Sequence, residues 1–175
     1  DDTIVFKLKI MNTNELIVLR AFIEEIGDSV TPNWSAINYV GKPDPVYVYK
    51  GAERKMTLKF SLASFTKDEH KILWQKANKL LGLNYPSYAE ISGGGKRMVP
   101  PMIKLTIGDY IYDQPGFFEN INITPKDNTF WEIEKGRQLP HHLDVNCSFT
   151  YIGDHLPDLE NPKFYNVDGA QATKS

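Results

Sequence analysis

The chain has 175 residues, a formal net charge of −2 and one cysteine. This length suits one domain, and a composition of 41% hydrophobic and 24% charged residues is that of a globular protein rather than a disordered one. One cysteine excludes a scaffold stapled by intramolecular disulfides. The charge balance gives no general attraction to nucleic acid or anionic lipid. We expect no membrane insertion, because no apolar run approaches the length of a span.

Two strands are predicted at the start of the chain. Apolar residues alternate from Ile4 to Ile10, and residues 16–26 are rich in Leu, Ile and Val. Residues 11–15 form a plausible turn, so we expect a hairpin. The glycines and prolines of residues 27–46 then predict a long loop with short extended pieces. Loops of this length are uncommon in compact domains, so short strands interrupt it or a partner orders it.

A strand and a helix are predicted in the middle of the chain. Residues 53–64 alternate apolar and polar side chains, as a half-buried antiparallel strand does. Thr66 and Glu69 have the spacing of a capping box, which predicts a helix over residues 67–81. Gly82 is placed to end that helix. Its apolar stripe consists of Leu73, Ala77, Leu80 and Leu81.

The second half of the chain again predicts strands. Residues 83–101 carry glycines and prolines and are predicted to form a loop. A strand over residues 102–107 is followed by the turn signal Gly108-Asp109 and a return from Tyr110. Further extended segments follow: a strand ending at Pro125 with Phe117, Ile121 and Ile123 on one face, a short piece at 131–133, and a strand over 143–152.

These elements define the predicted fold class and domains. We expect a mainly β (α+β) protein, an antiparallel β-sandwich or barrel of six to eight strands with one packed helix. The β domain covers residues 1–153. Residues 154–175 are predicted to be an extended C-terminal arm, partly disordered, because Pro157 and Pro162 interrupt it and its last residues are small and polar.

No motif predicts a cofactor or a metal. In the run Gly93-Gly94-Gly95-Lys96, Arg97 follows the lysine and a strand follows the loop, so a hairpin tip is favoured over a phosphate-binding loop. His141 and His142 lack convergent ligands, because Cys147 points inward with its strand. A solvated or interface histidine pair is favoured over a metal site.

No motif predicts catalysis either. The order of a Ser-His-Asp triad varies, so sequence leaves that arrangement open, but there is no G-x-S-x-G elbow. Glu24 and Glu25 are adjacent on a strand and face opposite sides unless a bulge intervenes. We therefore predict no catalytic residues and a non-enzymatic protein.

The order of motifs between Pro45 and Pro157 resembles the tail-tube-like domain of baseplate and tube-initiator proteins in phages with contractile tails and in related injection systems. The segments that carry the resemblance are 47–54 (YVYKGAER), 64–66 (SFT), 85–86 (YP), 98–101 (MVPP), 107–109 (IGD), 116–121 (GFFENI), 131–132 (WE), 139–140 (LP) and 151–152 (YI). In that family a "Y-x-G-A-x-R" segment leads a strand and a helix, and an "L-P" segment leads the last strand.

The resemblance implies a structural protein of the virion, assembled in the host cytoplasm. It implies sixfold homo-oligomeric rings in the tail tube or baseplate hub, contacts with other tail proteins, and a channel through which DNA passes transiently. A channel wall that is not basic lets DNA slide, and the net charge of −2 is compatible with that. The candidate interface residues are Tyr49, Arg54, Lys96, Arg97, His141, His142, Phe164 and Tyr165.

Two of these expectations are specific. As a guanidinium, Arg54 is a candidate for a bidentate pair with a carboxylate across a subunit interface. The arm, residues 155–175, is expected to dock on a neighbouring subunit or a second protein.

Two rival functions remain. A carbohydrate-binding β-sandwich of a host-recognition apparatus needs exposed, coplanar aromatic rings, for which the chain offers Trp34, Trp74 and Trp131, although Trp74 is expected to pack on the sheet. A small hydrolase needs a pocket with convergent polar groups, and it has the least support because no sharp catalytic constellation is visible.

Overall fold

The computed structural model describes residues 4–91, 94–127, 129–133, 135–136, 138–153, 159–160 and 164–165. It is mainly β, with 59% of these described residues in strands. The elements are β1 Ile4–Ile10, β2 Leu16–Ile37, β3 Val46–Ala63, α1 Lys67–Gly82, β4 Ser87–Ile91, β5 Gly95–Val99, β6 Ile103–Ile107, β7 Ile111–Pro125 and β8 His142–Tyr151. The predicted arm, residues 154–175, falls outside the described residues except for 159–160 and 164–165.

Six strands close into an antiparallel barrel in the order β1-β2-β3-β8-β7-β6. The alternation predicted for β1, β3, β6 and β8 is confirmed, because alternate side chains of these strands fill the interior, in β1 from Phe6 and in β3 over residues 56–62. Each large apolar side chain buried there contributes about 1.5–3 kcal/mol. The largest fully buried side chains are Phe6, Phe60, Phe149, Leu8, Leu19, Met56, Leu58, Leu62, Leu80, Ile103, Leu105 and Ile107.

Strand β2 is longer than the sequence predicted. Its first part, residues 16–21, pairs with β1, and residues 22–37 pair with β3. The predicted loop over 27–46 is therefore wrong for residues 27–37 and reduces to the connection 38–45. Pro32 misled the prediction, because proline is compatible with a strand whose outer edge has no partner.

The long β2–β3 hairpin extends beyond the barrel. Strand β3 pairs with β8 only over residues 55–63, so residues 46–54 pair with β2 alone. At about 3.4 Å per residue, this part reaches roughly 30 Å past the barrel. A bulge at Glu24 separates it from the β1-paired part of β2. It also shifts the alternation, which places Glu24 within 3.1 Å of Lys59.

Helix α1 follows β3 and confirms the capping box. The amide of Glu69 donates to the Thr66 hydroxyl at 3.2 Å, and the Glu69 carboxylate accepts from the Thr66 amide at 3.2 Å. The predicted role of Gly82 is wrong, since it is the last helical residue and the C-cap, Leu83, keeps right-handed helical geometry. Leu81 of the predicted stripe is exposed, and His70 is buried instead.

Two further predictions are corrected in the second half of the chain. The loop predicted over 83–101 contains the two-stranded sheet of β4 and β5. In β7 a bulge lies between Phe118 and Asn120, so Phe118 rather than Phe117 shares the interior with Ile121. The turn at Gly108-Asp109 and the strand end at Pro125 are confirmed.

Candidate assembly interface

Arg54 lies on β3 at the base of the projecting hairpin, directly opposite Val30 and diagonal to Asp28 on β2. Its Nε lies 3.1 Å from both carboxylate oxygens of Asp28, and its Nη2 lies 2.5 Å from Oδ2. The two side chains are only 15% and 7% exposed. The sequence expectation of a bidentate carboxylate pair is met within one chain, so the carboxylate in this structure belongs to Asp28 and not to a neighbouring subunit.

Three aromatic rings surround the Arg54 guanidinium. Its central carbon lies 4.2 Å from the ring centroid of Tyr151, 5.2 Å from Phe164 and 5.3 Å from Tyr165. Burial is the largest single influence on the pKa of Arg54 and lowers it, but hydrogen bonding to Asp28 together with the charge interactions of Tyr151, Asp28 and Tyr165 outweighs burial, and the pKa is raised. Cation–π contacts of this kind favour the charged guanidinium. The structure thus brings together three of the predicted interface residues.

The segment Phe164–Tyr165 approaches this cluster from far along the chain. The Tyr165 hydroxyl donates to Asp28 Oδ2 at 2.9 Å, and the Phe164 carbonyl accepts from Arg54 Nη2 at 3.5 Å. The Tyr165 ring lies 5.0 Å from that of Tyr110. Hydrogen bonding with Tyr110, and then with Asp28, raises the pKa of Tyr165 to about 12. We call Asp28, Arg54, Tyr110 and Tyr151 the Arg54 socket.

The socket sits at one end of the barrel. Tyr110 ends the turn between β6 and β7, and Tyr151 ends β8. Burial raises the pKa of the Tyr151 hydroxyl, which lacks a hydrogen-bond partner among the described residues. Sequence reasoning missed Asp28 and Tyr110. Asp28 was assigned to a loop, and no local pattern places Tyr110 beside it.

The projecting hairpin has one largely apolar face and one face of mixed polarity. Directly opposed residues of an antiparallel pair share a face, and Trp34 lies opposite Tyr49. The side that continues the barrel interior is apolar, and we call it the apolar hairpin face: Val30, Pro32, Trp34, Ala36, Tyr47, Tyr49 and Ala52. All seven residues are exposed. The other side is mixed: it presents Ser29, Thr31, Asn33, Ser35 and Glu53, and also Ile37, Val46 and Val48.

Tyr49 therefore belongs to this face and not to the Arg54 socket. Its ring centroid lies 5.1 Å from that of Trp34, with the ring planes at 66°. The alternation of Val30, Pro32, Trp34 and Ala36 with small polar residues was a usable signal for this face. The prolines and glycines of residues 27–46 favour a loop, and the prediction followed them rather than the alternation.

Lys96 and Arg97 occupy a separate hairpin. Both lie on β5, exposed, opposite Glu90 and Ala89 of β4. Asn12 anchors the base of this hairpin through hydrogen bonds to Ser87 at 3.4 Å and to the Pro100 carbonyl at 3.1 Å. The strand that follows Gly95 also agrees with the reading of the glycine run as a hairpin tip.

His141 and His142 point to different surroundings. The His141 ring lies 4.5 Å from that of His70, its Nδ1 is 3.2 Å from Ser64 Oγ, and its Nε2 is 3.6 Å from Glu132. The order Ser64, His141, Glu132 resembles a catalytic triad. However, Ser64 is only 4% exposed, and its backbone amide donates to the His141 carbonyl at 3.0 Å. The arrangement ties the segment before β8 to the end of β3. His142 instead lies 6.3 Å from Phe65.

An open groove of about 570 Å³ lies beside His142. Its lining residues are Phe22, Glu24, Ser61, Ala63, Phe65, Lys126, Asp127, Thr129 and His142. The Phe65 and His142 rings cross at 87°, so this pair does not form a flat stacking platform.

Cys147 lies in the barrel interior, where burial raises the pKa of its thiol to about 12. Across the described part of the chain, no group of three or more His, Cys, Asp or Glu side chains is placed to hold a metal ion. Among those same residues, no helix is long and apolar enough to cross a membrane.

No protein-family model and no curated protein matches this chain.

Proposed function

We propose that this protein is a non-enzymatic structural subunit that assembles into rings in the tail tube or baseplate hub of a phage or a related injection system. The observation that carries the proposal is the apolar hairpin face, which projects from a closed barrel and has no cover within the described chain. The tail-tube-like character of the barrel and its helix is part of the proposal.

An exposed apolar face on a projecting hairpin needs a partner. A two-stranded hairpin is marginally stable on its own in water, and contiguous apolar patches mark interaction surfaces. Trp34 and Tyr47 are 58% and 62% exposed in the single chain. Since the exposed aromatic side chains Trp34, Tyr47 and Tyr49 all lie on the apolar hairpin face, that side is the one that contact buries.

A second copy of the chain is the partner that fits the proposal. In the proposed ring, the hairpin of each copy contacts a different surface of the next copy. Contacts of this heterologous kind generate closed rings when the rotation between copies closes. Pro32 has no amide proton to donate to an added strand, so side chains rather than a continuous sheet carry the contact.

The chain has no excess of basic residues, which supports a role as a channel through which DNA passes. A ring that passes DNA must not retain it, and phosphate retention grows with the number of Lys and Arg contacts. The chain carries 20 Lys and Arg against 22 Asp and Glu residues. Other tail or baseplate proteins are the expected neighbours of such a ring.

The carbohydrate-binding alternative has less support. Sugar platforms present flat, accessible aromatic faces, whereas the exposed Trp34–Tyr49 pair crosses at 66° and the Phe65–His142 pair at 87°. The open groove beside His142 is the place where that function would be sought.

Light scattering combined with negative-stain microscopy tests the proposal. We expect rings with a central channel, or short stacks of them, when the purified chain is concentrated. A chain that stays monomeric and binds glycans on an array would instead favour the carbohydrate-binding alternative.

A further inference from the structure

We infer that the Arg54 socket is a binding site for an aromatic segment and that its resident ligand is the chain's own Phe164–Tyr165. This inference concerns the end of the barrel and is independent of ring assembly.

The residues of the socket contact one another independently of the segment. Strands β2 and β3 supply Asp28 and Arg54, and β8 supplies Tyr151, whose ring lies 4.2 Å from the guanidinium carbon. The Phe164–Tyr165 segment adds further contacts to the Asp28–Arg54 ion pair. We expect little reorganisation to oppose binding, because the Asp28–Arg54 pair is held in place by its own strands and remains available for further contacts.

The contacts select the chemistry of the ligand. The guanidinium offers its face to an aromatic ring, which Phe164 supplies with its centroid 5.2 Å away. Asp28 Oδ2 offers an acceptor, which the Tyr165 hydroxyl fills at 2.9 Å. Tyr110 offers a second ring to stack on. An acidic side chain in place of Tyr165 would be repelled by the Asp28 carboxylate, so the site fits an aromatic residue followed by a phenol.

The occupant is held reversibly. Phe164 and Tyr165 remain 39% and 47% exposed when docked, so the segment buries only part of its surface. A short tether raises the effective concentration of a linked ligand to the order of mM, which keeps such a weak contact filled by the same chain. The raised pKa of Tyr165 agrees with a neutral phenol held as a donor.

Limited chymotrypsin digestion of the full-length chain tests this inference. Cleavage after Tyr165 is compared with cleavage after Phe130, which is 84% exposed and serves as the internal reference. Tyr110→Ala removes the stacking partner. We expect the Tyr165-to-Phe130 cleavage ratio to rise about three- to tenfold, the shift expected when an aromatic pair is lost. Tyr112→Ala, another exposed tyrosine near the same turn, should leave the ratio unchanged.

A second variant controls for an effect of Tyr110→Ala on the barrel itself. Tyr165→Phe keeps a cleavage site but removes the hydroxyl that donates to Asp28, and it should raise the ratio by a smaller factor. Equal ratios in the wild type, Tyr110→Ala and Tyr165→Phe would overturn the inference. A wild-type ratio that rises on hundredfold dilution would overturn the assignment to the same chain and show a second copy's segment in the socket.

Discussion

Trp34 and Tyr49 face each other across the β2–β3 hairpin, with ring centroids 5.1 Å apart and ring planes at 66°. Edge-to-face aromatic pairs stabilise by about 0.5–1.5 kcal/mol beyond their buried area. This pair follows a bulge between Asn33 and Trp34, where the register of the hairpin shifts by one residue. The pair therefore holds the register of the outer hairpin.

Trp34→Ala should loosen the outer hairpin without loosening the barrel. We expect hydrogen exchange of the amides in residues 30–37 and 46–53 to become several-fold faster, because local opening depends on local contacts. Exchange in residues 56–62, inside the barrel, should stay unchanged. Equal acceleration in both regions, measured by mass spectrometry, would show that the hairpin is not an independent unit.

Arg54→Ala should destabilise the fold. The substitution leaves Asp28, whose side chain is 7% exposed, as a nearly buried carboxylate without its cation. Leaving such a charge unpaired costs about 2–3 kcal/mol at a partly buried site. Chemical denaturation followed by circular dichroism measures the change.

Lys55→Ala is the matched control for Arg54→Ala. Lys55 is the next residue and pairs with Glu119 at 2.9 Å, but its side chain is 42% exposed. An exposed ion pair contributes about 0–1 kcal/mol. Equal losses in the two variants would contradict the view that burial makes the Asp28–Arg54 pair important.

Gly116→Ala should disrupt the pairing of β7 with β8. A methyl group at Gly116 would lie 2.2 Å from the Thr150 carbonyl oxygen and 2.4 Å from the Phe149 ring. Neither a backbone oxygen nor a fully buried ring can move far, so we expect a loss of about 3 kcal/mol or more in the free energy of unfolding.

Gly82→Ala provides the opposite case. Nothing lies within 4 Å of an added methyl group there, and alanine is favoured over glycine in a helix by about 1 kcal/mol. The melting temperature should therefore rise slightly for Gly82→Ala and fall sharply for Gly116→Ala. A neutral result at Gly116 would mean that the two strands are not packed as closely as described.

Cys147 should react with alkylating agents only when the barrel opens. Burial raises the pKa of its thiol from 9.0 to about 12, so almost no thiolate exists in the folded state at pH 8.5. Labelling with iodoacetamide should track the unfolded fraction across a denaturant series. Rapid labelling in native buffer would contradict the buried position.

The raised pKa of the Cys147 thiol also makes the stability of the fold depend on pH. Because the folded pKa lies above the unfolded value, the stability linked to Cys147 is full below about pH 9 and is lost as the pH rises towards 12. Cys147→Ala should show a shallower loss of unfolding free energy over that window, measured by denaturant titration. Identical slopes would exclude Cys147 as the titrating group.

Local patterns were enough to predict much of the fold. The alternation of β1 and β8 and the capping box at Thr66 are set by neighbours in sequence, and all three were predicted correctly. The outer part of β2 was missed because Pro32 reads locally as a loop signal, although an unpaired edge tolerates it. The β7 bulge beside Phe118 likewise has no local signature.

The candidate sites depended on contacts that sequence does not display. Arg54, Phe164 and Tyr165 were predicted separately as interface residues, and the structure joins them across 110 or more positions. Asp28 and Tyr110 complete that cluster only because β2 and the β6–β7 turn, which are distant in sequence, meet at the same rim of the barrel. Lys96 and Arg97, by contrast, lie on a different hairpin from the Arg54 socket.

Sedimentation velocity on two tyrosine variants tests most directly whether the apolar hairpin face drives assembly. Tyr47→Lys places a charge on that face, whereas Tyr88→Lys places one on the separate β4–β5 hairpin at a site that is equally exposed, 67% against 62%. We predict that the wild type and Tyr88→Lys form ring-sized particles and that Tyr47→Lys associates at least about tenfold more weakly, with an unchanged melting temperature. Assembly of Tyr47→Lys at wild-type concentrations, or a wild type that stays monomeric throughout, would contradict the account.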